Sequence, residues 1–261
     1  MSILNQIIAS KKREVALKKK VVSLKQLENT DLFNSQTISL SKSILNSPFG
    51  IIAEHKRRSP SKTNINHSLS VEEVVKGYEN AGASGLSLLT NNQYFGGSLD
   101  DLILARACVK TPLLRKEFII DDYQILEAKA FGADAILLIA SVLTKDEIKS
   151  LSELAHSINL EVLLEVHNQE ELEKSIMPSL DIIGVNNRNL KTFELNLSNS
   201  IDLVDQIPND FVKISESGLN TAEHVKLLKS YGFQGFLIGE YFMKTENPGD
   251  SLFHFINQLK S

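Results

Sequence analysis

From Phe49 onward the chain repeats one plan: a short apolar strand, a polar or glycine-containing turn, then an amphipathic helix. Few folds accept such a repeat. The strand segments are GIIAEHK (50–56), GLSLLT (85–90), PLLRKEF (112–118), AILLIA (135–140), EVLLEV (161–166), IIGVNN (182–187), FVKISES (211–217) and GFLIGE (235–240). Helical patterns such as VEEVVKGYENAG (71–82), YQILEAKAFGA (123–133) and AEHVKLLKSYG (222–232) lie between them. Their terminal glycines suit a left-handed helix end.

The polar residue or glycine near each strand's C-terminal end is Glu54, Thr90, Lys116, Ser141, Glu165, Asn186, Ser217 and Gly239. Their spacings of 36, 26, 25, 24, 21, 31 and 22 describe eight βα units, which predicts an α/β fold of the (β/α)8 TIM-barrel type. An open doubly wound sheet is the competing arrangement. It would want a glycine-rich turn after its first strand for a dinucleotide, whereas this chain has KRRSPSK there. Residues 1–48 are expected to be a helical extension packed on a barrel of residues 49–261, in one domain. Ile3, Leu4, Ile7 and Ile8 have the spacing of a helix face that packs on it.

Side chains alternate along a strand, so Glu54 and Lys56 share one face while Ile51, Ala53 and His55 share the other. Leu114, Lys116 and Phe118 align on the third strand, and Glu161, Leu163 and Glu165 on the fifth. If these faces point inward, Glu54, Lys56, Lys116 and Glu165 converge at the C-terminal mouth, where barrel enzymes work. Ionisable groups gathered there perturb one another, which acid–base catalysis exploits. SESGL (215–219) after strand seven and IGEYFM (238–243) after strand eight add a phosphate signal, since small residues let backbone N–H groups approach an anion.

Other chemistries lack support. The six histidines show no metal-ligand spacing, and no Cys–His or Ser–His arrangement suggests acyl transfer. His55 is expected to face the helices as a packed or hydrogen-bonded residue. The single cysteine, Cys108, suits a reducing cytosol and is expected to pack within its helix. A net charge of −4 and a pI near 5.9 give no global attraction to nucleic acid. The basic clusters Lys11 to Arg13 and Lys18 to Lys20 are expected on solvated helix faces. No apolar run approaches the ~20 residues that span a bilayer, and no secretory pattern opens the chain, so a cytoplasmic protein is expected.

AEHKRRSPSK (53–62), LTNNQYFGGS (89–98), LLRKEFIIDDYQI (113–125), GADAILLIA (132–140), LLEVHN (163–168), GVNNRNLKTFE (184–194), SESG (215–218) and FLIGEYFM (236–243) together resemble indole-3-glycerol phosphate synthases. The resemblance covers nearly the whole chain and implies ring closure of 1-(2-carboxyphenylamino)-1-deoxyribulose 5-phosphate with loss of carbon dioxide and water, in tryptophan biosynthesis. It implies no cofactor and no metal, a phosphorylated small-molecule substrate, and no nucleic-acid or membrane partner. A monomer is expected, with at most weak self-association.

By motif position, Lys116 resembles the general acid of ring closure and Glu165 the general base of dehydration. Lys56 resembles the second lysine, which contacts the substrate carboxylate or helps in proton transfer. Glu54 and Asn186 would hold sugar hydroxyls and orient the lysines. Arg188 would serve the carboxylate side, with Ser59 on the first loop also at the substrate. Phe95, Phe118, Leu138, Leu190 and Leu237 would line the apolar slot. Ser217, Gly218, Gly239 and the backbone of Glu240 would hold phosphate. Thr63 stands where the family usually has glycine and is expected to stiffen the first loop. A phosphoribosylanthranilate isomerase would want a Cys/Asp pair at strand ends, and Cys108 is on a helix. A non-catalytic phosphate binder would keep SESG and LIGE without the Lys/Glu set.

Overall fold

The computed structural model describes residues 2–189 and 194–261. Eight parallel strands close into a barrel in sequence order. They are β1 (Ile51–His55), β2 (Gly85–Leu89), β3 (Leu113–Lys116), β4 (Ala135–Ile139), β5 (Glu161–Val166), β6 (Ile182–Asn186), β7 (Val212–Glu216) and β8 (Gly235–Ile238). Helices α1 (Ile3–Val21), α2 (Leu24–Glu28) and α3 (Leu40–Leu45) precede β1. Then α4 (Val71–Asn80) follows β1, while α5 (Asn92–Phe95) and α6 (Leu99–Cys108) follow β2. α7 (Asp122–Ala130), α8 (Lys145–Ser157), α9 (Gln169–Ser175), α10 (Ser198–Val204) and α11 (Ala222–Ser230) follow β3 to β7 in turn. α12 (Glu240–Met243) and α13 (Pro248–Lys260) follow β8.

Local signals start and stop these helices. Ser70–Glu73, Ser98–Asp101 and Thr144–Glu147 form capping boxes ahead of α4, α6 and α8. Gly82, Gly132 and Gly232, with φ of +90°, +85° and +104°, end α4, α7 and α11 as expected. The strands are shorter than the apolar runs. At 235–240 the run continues past the last paired residue because Gly239 leaves the sheet and Glu240 begins α12.

Alternation divides the core in two. Ile52, Leu114, Leu137, Ile139, Leu163, Ile182, Ile214 and Leu237 fill the barrel interior. Ile51, Ala53, Leu86, Leu88, Ile136, Leu138, Leu164 and Ile183 pack outward against the helices. The interior is closed below by α3, whose Leu40 and Ile44 are fully buried in the same cluster. Space for Leu40 comes from Gly85 at the start of β2: a Cβ there would lie 2.3 Å from the Leu40 methyl. Glu161, at the base of β5, fastens this plug by accepting from the Ser41 N–H at 2.8 Å and from the hydroxyls of Ser39 and Ser41 at 2.5 and 2.8 Å.

The basic clusters of α1 are not simply solvated. Lys11 is 2% exposed and its ammonium donates to Glu117, just past β3, at 2.9 Å and to Glu14 at 2.7 Å. Lys18 reaches Glu127 of α7 at 2.8 Å. A run of lysines looks solvated in sequence because the acids that receive two of them lie more than a hundred positions away.

Removing the plug side chain with Leu40→Ala should lower stability by about 2–5 kcal/mol, the cost of a cavity at a site that cannot collapse. Urea denaturation reads this as a lower midpoint with an unchanged slope. A midpoint within experimental scatter of wild type would mean that the barrel floor does not depend on α3.

Candidate active site

The strand C-terminal ends open into a pocket lined from every side of the barrel and capped on one flank by α1 through Ile3, Leu4 and Ile7. At its base Lys116, the last residue of β3, extends across the barrel. Its ammonium donates to Glu165 of β5 at 3.1 Å and to Glu216 of β7. On the β1 side, Lys56 donates to Glu54 at 2.7 Å, and the Ser87 hydroxyl reaches the other Glu54 oxygen at 3.3 Å. Glu54, Glu165, Asn186 and Glu216 are all buried, and alternation with Ile52, Leu163, Ile182 and Ile214 turns them inward.

Burial alone would drive these groups toward their neutral forms, and their partners decide the outcome. For Lys116 the desolvation that favours the amine is outweighed by Glu216, Glu165 and Glu54, which hold the ammonium well above the usual lysine range. Desolvation at Glu54 is outweighed by Lys56 and Lys116, so that carboxyl lies below its ordinary value. Glu165 is likewise lowered, because Lys116, His167 and the Asn186 side chain overcome its burial. Glu216 is the exception. Desolvation, with the charges of Glu165 and Glu54, pushes it up to about 7 despite Lys116. Three carboxyls share two ammoniums, and the third carboxyl holds a proton more readily.

Beside this cluster the pocket has an apolar wall. The Phe95 and Phe118 rings lie 6.1 Å apart between centroids, and Leu137, Ile139 and Leu237 also line the pocket. Arg188 and Ser59 line the rim, and the Arg188 N–H donates to the Asn186 side chain at 2.9 Å. The remaining wall is Ser217, Gly218, Gly239 and Glu240. Ser217 and Gly218 both have positive φ, +69° and +77°, which turns the chain sharply after β7. The buried Asn187 amide holds that turn by donating to the Ser215 hydroxyl at 3.0 Å and to the carbonyls of Glu216 and Ser217, both at 3.1 Å. Lys62, on the first loop, meets Glu240 at 2.5 Å, so that loop closes over the same wall.

The structure brings together Glu54, Lys56, Ser59, Phe95, Lys116, Phe118, Glu165, Asn186, Arg188, Ser217, Gly218, Leu237, Gly239 and Glu240. Leu138 is a correction. It is fully buried in the outer core, and its neighbours Leu137 and Ile139 face the pocket, because alternation puts position 138 on the helix side of β4. Leu190 lies outside the described residues. His55 does face the helices, where burial and Arg57 push its imidazole down to about 4 against Asp101 and Glu54. Among the described residues no group of three or more His, Cys, Asp or Glu could hold a metal ion.

Sequence reasoning passed over Glu216 and the α1 wall. Glu216 was legible by alternation, since it lies two residues after the inward Ile214. That Ile3, Leu4 and Ile7 border a pocket was not, because an apolar stripe does not say what it covers.

Glu216 yields a test through pH. The folded chain binds its proton more tightly than the unfolded chain does, so this group favours folding at low pH. That contribution is lost as pH rises from the ordinary carboxylate range through about 7. Glu216→Gln keeps a neutral side chain throughout. Its Tm relative to wild type should therefore improve between about pH 5 and about pH 8. A difference in Tm that stays flat over that window would contradict the raised Glu216 pKa.

The sequence profile of indole-3-glycerol phosphate synthase matches residues 4–254. An indole-3-glycerol phosphate synthase of Bacteroides thetaiotaomicron is 48% identical over 258 residues, 99% of each chain. One of Aliarcobacter butzleri is 41% identical over 261 residues, covering 98% of this chain and 99% of the relative. Among solved structures, a tryptophan synthase α-subunit of Pyrococcus furiosus superposes with a TM-score of 0.60 at 14% identity, over 81% of this chain and 97% of its own. That likeness concerns the fold alone. A profile that runs almost end to end, with relatives this similar over their full lengths, shows that the chain belongs to the indole-3-glycerol phosphate synthase family.

Proposed function

We propose that this chain is the carboxy-lyase that closes the indole ring of 1-(2-carboxyphenylamino)-1-deoxyribulose 5-phosphate, releasing carbon dioxide and water. The observation that carries the reading is the Lys116 ammonium, held by Glu165 and Glu216 at the base of an apolar slot. An anilino ring fits between Phe95, Phe118 and Leu237. Its phosphate fits against the turn at Ser217 and Gly218, with the N–H groups of Gly239 and Glu240 opposite. The first N–H groups of a helical turn have no acceptor within it, which suits them to an anion. Arg188 and Lys56 serve the carboxylate, with Ser59 at the rim. Glu54 and Asn186 hold the sugar hydroxyls.

Lys116 protonates the ribulose carbonyl while the ring carbon bearing the carboxylate attacks it. Carbon dioxide then leaves with the bond electrons returning to the ring. In the dehydration the hydroxyl, protonated by a lysine ammonium, leaves as water while Glu165 removes a proton from the former methylene carbon. A second reading gives that step to Lys56 and Glu54, and their separate 2.7 Å pair favours it. We also take residues 1–48 and the barrel, 49–261, as one domain, since α3 plugs the barrel and α1 borders the pocket. We further take the protein to be a cytoplasmic monomer; among the described residues no helix is long and apolar enough to cross a membrane.

Purified chain supplied with the anilino-ribulose phosphate should develop the fluorescence of indole glycerol phosphate. Lys116→Ala should lose about 10²–10⁴-fold in kcat with an unchanged circular dichroism spectrum. Retention of half the wild-type kcat would remove Lys116 as the acid. Single-turnover assays of Glu165→Gln and Glu54→Gln identify the base, since only the variant lacking it should release carbon dioxide ahead of indole.

The phosphate assignment has a cleaner test at Gly218 than at Gly239. A Cβ at Gly239 would lie 2.6 Å from a Glu54 oxygen and disturb the acid–base cluster, whereas at Gly218 the nearest atom is a Leu195 methyl at 3.4 Å. Gly218→Val, strained at φ +77°, should raise KM more than it lowers kcat, and Gly239→Val should lower kcat as well. Gly218→Val with wild-type KM would place the phosphate elsewhere.

A further inference from the structure

His167 follows β5 two residues after Glu165, so both side chains turn to the same side of the strand. Its Nε2 lies 3.5 Å from Glu165 Oε1, and its Nδ1 lies 3.2 Å from Glu171 Oε2 on α9. Glu171 also accepts the His167 backbone N–H at 2.9 Å, which holds that carboxylate beside the ring. Nε2 is buried without a hydrogen-bond partner and is turned toward the active-site carboxylate. The exposure of the three side chains rises outward, from 4% at Glu165 to 12% at His167 and 14% at Glu171.

The reaction has a proton deficit that such a group could meet. Ring closure puts one proton on the carbonyl oxygen, and the departing hydroxyl takes a second as it becomes water. Dehydration returns one proton, from carbon, to the base. Carbon dioxide leaves without a proton, so a turnover that begins from the substrate carboxylate takes up one proton net. Lys116 and Glu165 together cannot supply it repeatedly without an outside source.

We infer that His167 is the proton store that recharges the Lys116–Glu165 pair, giving its Nε2 proton to Glu165 Oε1 while Glu171 keeps the Nδ1 proton in place. The 3.1 Å contact to Lys116 is made by the other oxygen, Oε2, so the protonated carboxyl rotates to present its O–H there and passes the proton to the Lys116 amine, restoring the ammonium. The neutral imidazole regains its proton from solvent when product leaves and the pocket is open. The 3.5 Å gap closes by a small ring rotation, as donor contacts in an empty site commonly tighten when substrate binds. His167 touches no substrate, so its role is a supporting one exerted through Glu165.

The surroundings agree with the charge that this requires. Burial disfavours the imidazolium, but the bond to Glu171 and the charges of Glu165, Glu171 and Glu216 outweigh it and hold its pKa above the ordinary histidine value. Among the described residues the cations facing this group are Lys116 from β3, beyond Glu165, and Lys174 of α9, which acts on Glu171 and is itself bonded to the carbonyls of Ala140 and Leu143.

The inference rests on the proposed activity, and the test keeps the two apart because wild type must first make indole glycerol phosphate. In single turnover His167→Gln should react roughly tenfold or more slowly, with substrate affinity within about twofold of wild type. Added imidazole should restore the rate in proportion to the imidazolium present, which repair of a merely structural defect would not do. The wild-type rate should fall as pH rises through the His167 pKa, and His167→Gln should lack that limb. Glu171→Gln, which removes a charge that raises this pKa, should move the limb to lower pH. A His167→Gln rate within about twofold of wild type, a slow rate that imidazole leaves unchanged, or an unmoved limb in Glu171→Gln would each overturn the assignment.

Discussion

Burying charge where strands end is the constraint on which this molecule's organisation depends. Lys116, Glu165, Glu216 and Glu54 are withdrawn from water at the barrel mouth, and each is tolerable only because the others are there. The closed barrel makes this possible. It brings the ends of β1, β3, β5 and β7 to one point while the aliphatic layer beneath excludes water from their bases. The same exclusion strengthens every interaction in the cluster and leaves Glu216 titrating near neutrality.

A second set of buried polar contacts secures the wall outside that mouth. On the outer side of β3, Glu117 accepts from Lys11 of α1, from Thr90 at 3.2 Å and from the Asn91 amide at 3.3 Å. Arg115 donates to Thr90 at 3.1 Å and to Glu127 at 2.6 Å, and Glu127 also receives Lys18. This network runs from the N-terminal helix through the strand that carries Lys116 to α7. It sets α1 so that Ile3, Leu4 and Ile7 face the pocket. The phosphate wall is held in the same manner from behind, where Asn187 joins the turn after β7 to Ser200 of α10 at 2.8 Å. Both walls are therefore braced from behind, by Lys11, Arg115 and Glu127 on one side and by Asn187 and Ser200 on the other, none of which lines the pocket.

Much of this was legible in one dimension because it follows from local periodicity. The repeat of strand, turn and helix needs only the alternation of apolar residues, and capping residues mark most helix starts without reference to anything distant. Inward placement of Glu54, Lys116 and Glu165 also follows from counting along a strand. Motif position without that count misleads at Leu138: the motif puts it in the slot, whereas the same count that places Lys116 inward puts it among the helices. Glu216 was passed over beside the more conspicuous Ser217 and Gly218.

By itself, then, the sequence determined the eight βα units, their order, and the strand faces carrying the acid–base residues, because these depend on separations of two to four positions. Only the tertiary structure decided which charges meet. Lys116 lies 49 positions from Glu165 and 100 from Glu216, and Lys11 lies 106 from Glu117. No local rule chooses among such partners. Closure of the barrel does, by bringing strand ends within a few ångströms whatever their distance along the chain, and desolvation then makes pairing among them compulsory.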